Sequence, residues 1–262
     1  PTPTARPPLL RLADYVFQFL AAQGVGHVFC LPGGGAMHLV DAAGRCEGLQ
    51  VVPQHHEQAV GIAAEAYARV TENLGVALVT TGPGGTNALT PLVGAWLESA
   101  PVVFLSGQVK RADMKRDSGV RQRGPQEVDI ISFVRDVTKY AVTVEEPSEI
   151  RWHLERALHL AREGRRGPVW LDIPLDVQGA QIDPATLKGF EAPPADATPD
   201  PALLAGIEAL KALWAGAQRP LLLLGHGVRH AGAAKAILPL IEALGLPVVT
   251  TWPALDIVPA DH

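Results

Sequence analysis

Glu57 has the surroundings of an acid that does chemistry. It stands in Gln54-His55-His56-Glu57-Gln58, and the residues that follow, 59–69, are small and apolar on nearly every face of a helix. Such a helix is expected to be buried, and Glu57 at its first turn with it. A carboxyl there is favoured by the helix dipole, which is its plain structural reading. Capping alone, however, calls neither for so apolar a helix nor for a preceding strand that delivers the acid to a sheet edge. His55 and His56 are adjacent and point apart, and no third ligand lies near them in sequence, so no metal centre is expected in this chain.

Three further segments have types and spacing suited to a site. Leu31-Pro32-Gly33-Gly34-Gly35, Thr81-Gly82-Pro83-Gly84-Gly85-Thr86-Asn87 and Ser106-Gly107-Gln108-Val109 each end a run of strand-forming residues. Glycines at the carboxyl end of a strand let backbone approach a ligand or another subunit closely. A tight turn is the ordinary alternative at 31–35. The amides of 81–87 could cradle an anion, but the Lys-Ser/Thr of a P-loop is absent. Each loop alone is a weak signal; with Glu57 they make four polar or glycine-rich strand ends, and that convergence points to one site.

The elements that must position these residues alternate. Strands are expected over 27–31, 49–53, 76–80, 102–106, 137–144 and 169–173, and helices over 12–23, 35–43, 57–70, 86–98, 128–133 and 149–162. Most strands are continuous apolar runs, the pattern of a parallel sheet covered on both faces. Pro147-Ser148-Glu149 reads as a helix start with Ser148 as its cap. The fold class expected is therefore α/β, a doubly wound and mostly parallel sheet forming a first domain over 1–182, with a Pro/Thr tail at 1–8. The Pro-rich stretch 183–200 reads as a linker. Alternation resumes over 201–262, with helices at 201–215 and 231–244 and strands at 221–224 and 247–251. So few elements bury little surface, so the rest of this second domain is expected beyond His262 or on another chain.

Composition narrows the classes. Apolar residues make up 47%, enough for a core, and 22 basic against 27 acidic residues leave a mild net charge of −5. No Lys/Arg run points to nucleic acid or to a membrane surface. The aliphatic stretch 220–225 is far short of the roughly 20 residues a bilayer span needs. Cys30 and Cys46 have neither metal-ligand spacing nor a disulfide framework, and 1–8 lacks a signal pattern, so the cytoplasm is the expected location.

In their order, PGGG, HHEQA with AAEAYAR, TTGPGGTN and SGQV closely resemble the pyrimidine-binding domain of the acetolactate synthase-like thiamine-diphosphate enzymes. The resemblance continues through Gln126-Glu127-Val128-Asp129-Ile130 and Thr138-Lys139-Tyr140 to the segment from Gly167 to Pro174. The residues after Asp200 resemble the start of that family's Rossmann-like central domain. The resemblance implies thiamine-diphosphate-dependent decarboxylation of a 2-keto acid with carboligation, at a site shared between subunits of a dimer or tetramer. Glu57 then matches the glutamate that hydrogen-bonds the pyrimidine N1′ and favours the reactive imino tautomer. Pro32, Gly33 and Gly34 would lie near the coenzyme and the substrate entrance. Gly84, Thr86 and Asn87 would border the pyrimidine, and Gln108 and Gln126 the active centre. The charged stretch 110–123 is by default a solvated loop, and its excess of cations would attract a carboxylate substrate.

The departures are informative. The family's diphosphate and Mg²⁺ site is a Gly-Asp-Gly segment with a later Asn in a C-terminal portion, and no such pair occurs in this sequence. The chain is thus expected to need that portion for activity. Strict acetohydroxyacid synthases carry a short loop with Phe before the Gln-Glu pair; here the loop is longer and Pro125 takes that place, favouring another carbonyl acceptor. The segment from Gly225 to Gly232 only loosely resembles a dinucleotide turn, so a structural role is favoured over FAD binding. The rival readings are a simple or split 2-keto-acid decarboxylase and a non-catalytic regulatory module of the same fold. Decay at the activating acid, which the second predicts, is not seen. A Rossmann-type dehydrogenase is disfavoured because no GxGxxG follows the first strand.

Overall fold

A computed structural model describes residues 9–194 and 200–262; the expected tail at 1–8 and the linker residues 195–199 lie outside the described residues. The chain divides into two units, Pro1–Ala192 and Pro193–His262.

The first unit opens with β1 (Leu10–Arg11), α1 (Leu12–Ala22), β2 (His27–Cys30), α2 (Met37–Arg45), β3 (Gln50–Pro53), α3 (Glu57–Thr71) and β4 (Gly75–Val79). It continues with α4 (Pro83–Asn87), α5 (Leu89–Leu97), β5 (Val102–Gln108), α6 (Ile130–Val134), β6 (Tyr140–Thr143), α7 (Ile150–Arg162), β7 (Val169–Pro174), α8 (Leu175–Gln178) and β8 (Gln181–Ile182). Six strands form one sheet in the order β3-β2-β4-β5-β7-β6, and every pairing is parallel. From β2 the chain first builds to one side, as β3, and then returns to add β4 on the other. The crevice between β2 and β4 is therefore the topological switch point, where ligands sit in open α/β sheets.

Strand side chains alternate between two cores. Val103, Leu105, Val169 and Leu171 pack with α1, α2 and α7, whereas Val102, Phe104 and Trp170 pack with α3, α5 and α6. Phe104 and Trp170 stack with centroids 5.1 Å apart. The two-residue pair β1–β8 is antiparallel and ties the start of α1 to the end of the sheet layer.

Several expectations are corrected locally. The helix expected over 86–98 is two helices meeting at Ala88, because Pro91 cannot donate to Asn87 in a continuous helix. Ser148 does not cap α7: Pro147–Glu149 form a 3₁₀ turn, and α7 starts at Ile150 without a side-chain cap bond. The strand expected over 137–144 begins at Tyr140, since Arg135–Val137 take a 3₁₀ turn. The first unit also runs beyond 182. Leu187 is buried in its core, and Phe190 packs edge-on to Trp152.

The second unit begins with α9 (Pro201–Gly216), and β9 (Leu222–Leu224), α10 (Gly227–His230), α11 (Ala234–Leu244) and β10 (Val248–Thr250) pack around a small core of Leu224, Ile241, Ala254 and Ile257. The strands β9 and β10 pair in parallel. No residue of α9 is buried, although Leu203, Leu204, Ile207, Leu210 and Leu213 are apolar.

Candidate active site at the switch point

Glu57 enters the site because β3 ends at Pro53 and α3 begins at residue 57. It does not cap its own helix. His56 does that, its Nδ1 accepting the Gln58 N–H at 3.1 Å. Glu57 as a whole is only 8% exposed. It turns instead toward the loop after β4, where Asn87 Nδ2 donates to Oε2 at 2.9 Å. Among the described residues Oε1 takes no hydrogen bond.

The expectation that α3 is buried all round does not hold. Val60, Gly61, Ala64 and Ala68 face the sheet, whereas Ile62 and Val70 are 55% and 79% exposed. Small residues let α3 lie close to α5 and β4 on one side only.

The glycine segments meet over Thr80. A side chain at Gly33 would strike the Thr80 side chain at 2.5 Å, and one at Gly84 would reach Thr80 Cγ2 at 2.6 Å and Glu57 Oε1 at 3.3 Å. These glycines are thus spaces that let two loops close over one residue. Thr80 Oγ1 is buried and has no hydrogen-bond partner among the described residues. Gly34 and Pro32 lie exposed at the rim. The amides of Gly84 and Thr86 donate to Thr81 and Gly82 carbonyls, so these two are not offered to an anion. The Thr86 hydroxyl turns back to Pro83 O at 3.2 Å.

Gln108 and Gln126 are placed differently from each other. Gln108 is 2% exposed. Its Oε1 accepts from Thr81 Oγ1 and the Val109 N–H, both at 2.9 Å, and its Nε2 donates to Val128 O at 2.8 Å and Asp172 Oδ2 at 3.0 Å. All four of its hydrogen-bonding positions are used internally. Gln126 is exposed, with a positive φ of 60°, and its carbonyl abuts Gly82.

The amino-acid sequence is matched by known proteins. Residues 10–133 match the family model "Thiamine pyrophosphate enzyme, N-terminal TPP binding domain", and residues 207–262 match "Thiamine pyrophosphate enzyme, central domain". The chain belongs to the thiamine pyrophosphate enzyme family. It is 36% identical to the acetolactate synthase large subunit of Corynebacterium glutamicum, over 99% of this chain and 40% of that protein. It is 35% identical to the acetolactate synthase isozyme 3 large subunit of Escherichia coli, over 97% of this chain and 43% of that protein. A probable acetolactate synthase large subunit of Methanocaldococcus jannaschii is 33% identical, over 95% of this chain and 42% of that protein. The chain spans about two fifths of the length of these relatives.

As a thiamine pyrophosphate enzyme domain, the first unit has what a heteroaromatic ring with polar edges needs. A carboxyl with one free oxygen, an unpartnered buried hydroxyl and a cradle that a Cβ would fill lie together at Glu57, Thr80 and Gly84. No group of three His, Cys, Asp or Glu able to hold a metal occurs among the described residues. In the second unit, the turn after β9 is pinned within the chain by His226 Nδ1 to Pro253 O at 2.7 Å and Arg229 to Asp256 at 2.7 Å.

Sequence reasoning missed the residues that brace this site. Gln178 is fully buried and donates to Gly35 O at 2.7 Å and Ile173 O at 2.8 Å, tying the first glycine loop to β7. Asp172 lies buried in the middle of VWLDIP. A charged residue inside an otherwise apolar strand was the available signal for it.

Proposed function

We propose that this chain supplies the pyrimidine-binding half of a thiamine-diphosphate-dependent site that decarboxylates a 2-keto acid and joins the remaining fragment to a second carbonyl compound. The observation that carries this reading is Glu57, buried at the switch point with one carboxyl oxygen held by Asn87 and the other free. When bound, thiamine diphosphate supplies a nucleophilic carbon and an electron sink for loss of CO₂. Glu57 holds a proton at the pyrimidine N1′, and Asn87 fixes the direction in which that proton is offered. Gly33 and Gly84 let their loops close over Thr80 beside Glu57, where the pyrimidine lies, while Pro32 and Gly34 border the entrance. Thr86 shapes the turn that carries Asn87, and Gln126 faces the substrate side. Gln108 acts through the loops it braces.

The partners follow from the same reading. The diphosphate and its Mg²⁺ are held by residues outside this sequence, in a C-terminal portion. A second copy of the chain covers the exposed apolar stripe of α3 and α5, which includes Ile62, Val70, Val93 and Leu97. A structural role for the second unit is favoured over FAD binding, because His226 and Arg229 of its candidate turn are tied to Pro253 and Asp256 within the unit. No helix among the described residues is long and apolar enough to cross a membrane, and we place the assembly in the cytoplasm.

The test uses the full-length assembly. Glu57→Gln should lose nearly all turnover while still binding thiamine diphosphate, and product analysis with pyruvate, with and without an aldehyde, should show a carboligation product. Turnover at the wild-type level in Glu57→Gln overturns the reading.

A further inference from the structure

One buried acid is used by none of the chemistry above. Asp172 is 1% exposed, on the interior strand β7. Its register places it opposite Ser106 on β5 and opposite Thr143 on β6. These three residues continue the Phe104–Trp170 row toward the carboxyl end of the sheet, so an apolar stack becomes a polar one just below the site.

The bonds in this row are specific. Trp170 Nε1 donates to Ser106 Oγ at 2.8 Å, and Ser106 Oγ donates to Asp172 Oδ1 at 2.6 Å. Asp172 Oδ2 accepts from Gln108 Nε2 at 3.0 Å and from Thr143 Oγ1 at 3.4 Å. Gln108 in turn accepts from Thr81, at the head of the loop that carries Gly84 and Asn87, and donates to Val128 O, beside the Gln126 segment. A side-chain amide can be turned either way round unless its neighbours decide. Here two acceptors, Asp172 Oδ2 and Val128 O, require the NH₂ on their side, and two donors require the oxygen on the other.

We propose that Asp172 is a positioning residue of the coenzyme site: through Gln108 it locks the loop 81–87 onto the segment 126–130, in the register that brings Asn87 to Glu57. The proposal rests on the coenzyme-site reading above. An unpaired acid in this position would be costly, and the three donors that answer it include Gln108 Nε2, which it holds toward β7. An amide at position 172 keeps one acceptor oxygen in place of two, so Ser106 Oγ and Gln108 Nε2 can no longer both donate to it. Removing the Thr81 hydroxyl cuts the same connection at its loop end.

The experiment measures thiamine diphosphate binding by calorimetry, together with kcat and KM, on the full-length assembly. Asp172→Asn and Thr81→Val should each weaken coenzyme binding by about tenfold, the effect of one hydrogen bond in the network. Each should lower kcat while KM for the 2-keto acid stays within about twofold. Because both variants act through one amide, the double variant should lose no more than the worse single one. Wild-type binding and kcat in both variants, or losses that multiply in the double variant, overturn the proposal. If Asp172→Asn does not fold, Thr81→Val decides alone, and unaltered coenzyme binding in it overturns the proposal. A wild-type assembly that binds no thiamine diphosphate overturns the coenzyme-site reading and this proposal together.

Discussion

A carboxyl buried in an interior strand costs free energy unless its surroundings answer it. Burial pushes Asp172 up from its ordinary 3.8 to about 7, although bonds from Ser106, Gln108 and Thr143 pull it down; Asp129 adds a further upward push. Between those values the folded protein keeps a proton that the unfolded chain has released. The stability this group contributes is therefore full below pH about 4 and is lost as pH rises through about 7. Melting curves from about pH 5 to about pH 8 should show wild type losing stability relative to Asp172→Asn; parallel pH dependences would count against it. Glu57 was legible in the sequence because an acid before a run of small apolar residues is unusual. Its bond to Asn87 was not, since 30 positions separate them and only the sheet order brings them together. Gln108 was legible as a polar strand end, but its internal commitment depends on Asp172, 64 positions away.

At the scale of elements, the six main strands were readable from apolar runs to within a few residues, because parallel strands covered on both faces have little freedom to be polar. The faces of helices were less readable. Apolar composition around α3 suggested full burial, yet composition does not say which partner covers a face. The side toward the core is tight: a Cβ at Gly61 would stand 2.5 Å from Pro91 Cγ of α5. Gly61→Ala should thus cost about 1–3 kcal/mol by overpacking, read as a lower urea midpoint at unchanged slope. Ile62→Ala, on the exposed side of the same helix, should shift the midpoint far less. Equal effects from the two would mean that α3 and α5 are not packed as described.

Across the whole molecule, Ile62 and Val70 of α3 and Val93 and Leu97 of α5 are exposed apolar side chains on two helices packed against each other, the last 67% exposed, the kind of surface a partner covers. In the full-length protein, Ile62→Asp with Leu97→Asp should convert the assembly to smaller species in sedimentation velocity and abolish turnover; an unchanged sedimentation coefficient would remove this face from the interface. By itself the amino-acid sequence determined most of the elements to within a few residues, the change of texture near 183–200, the family and the choice of candidate acid, because these rest on local propensity and on motifs contiguous in the chain. Only the tertiary structure decided the strand order, the meeting of the glycine loops over Thr80, the pairing of Asn87 with Glu57 and the network around Asp172. Those depend on contacts between residues tens of positions apart, which are set by sheet topology and close packing, and neither is written in any short stretch of residues.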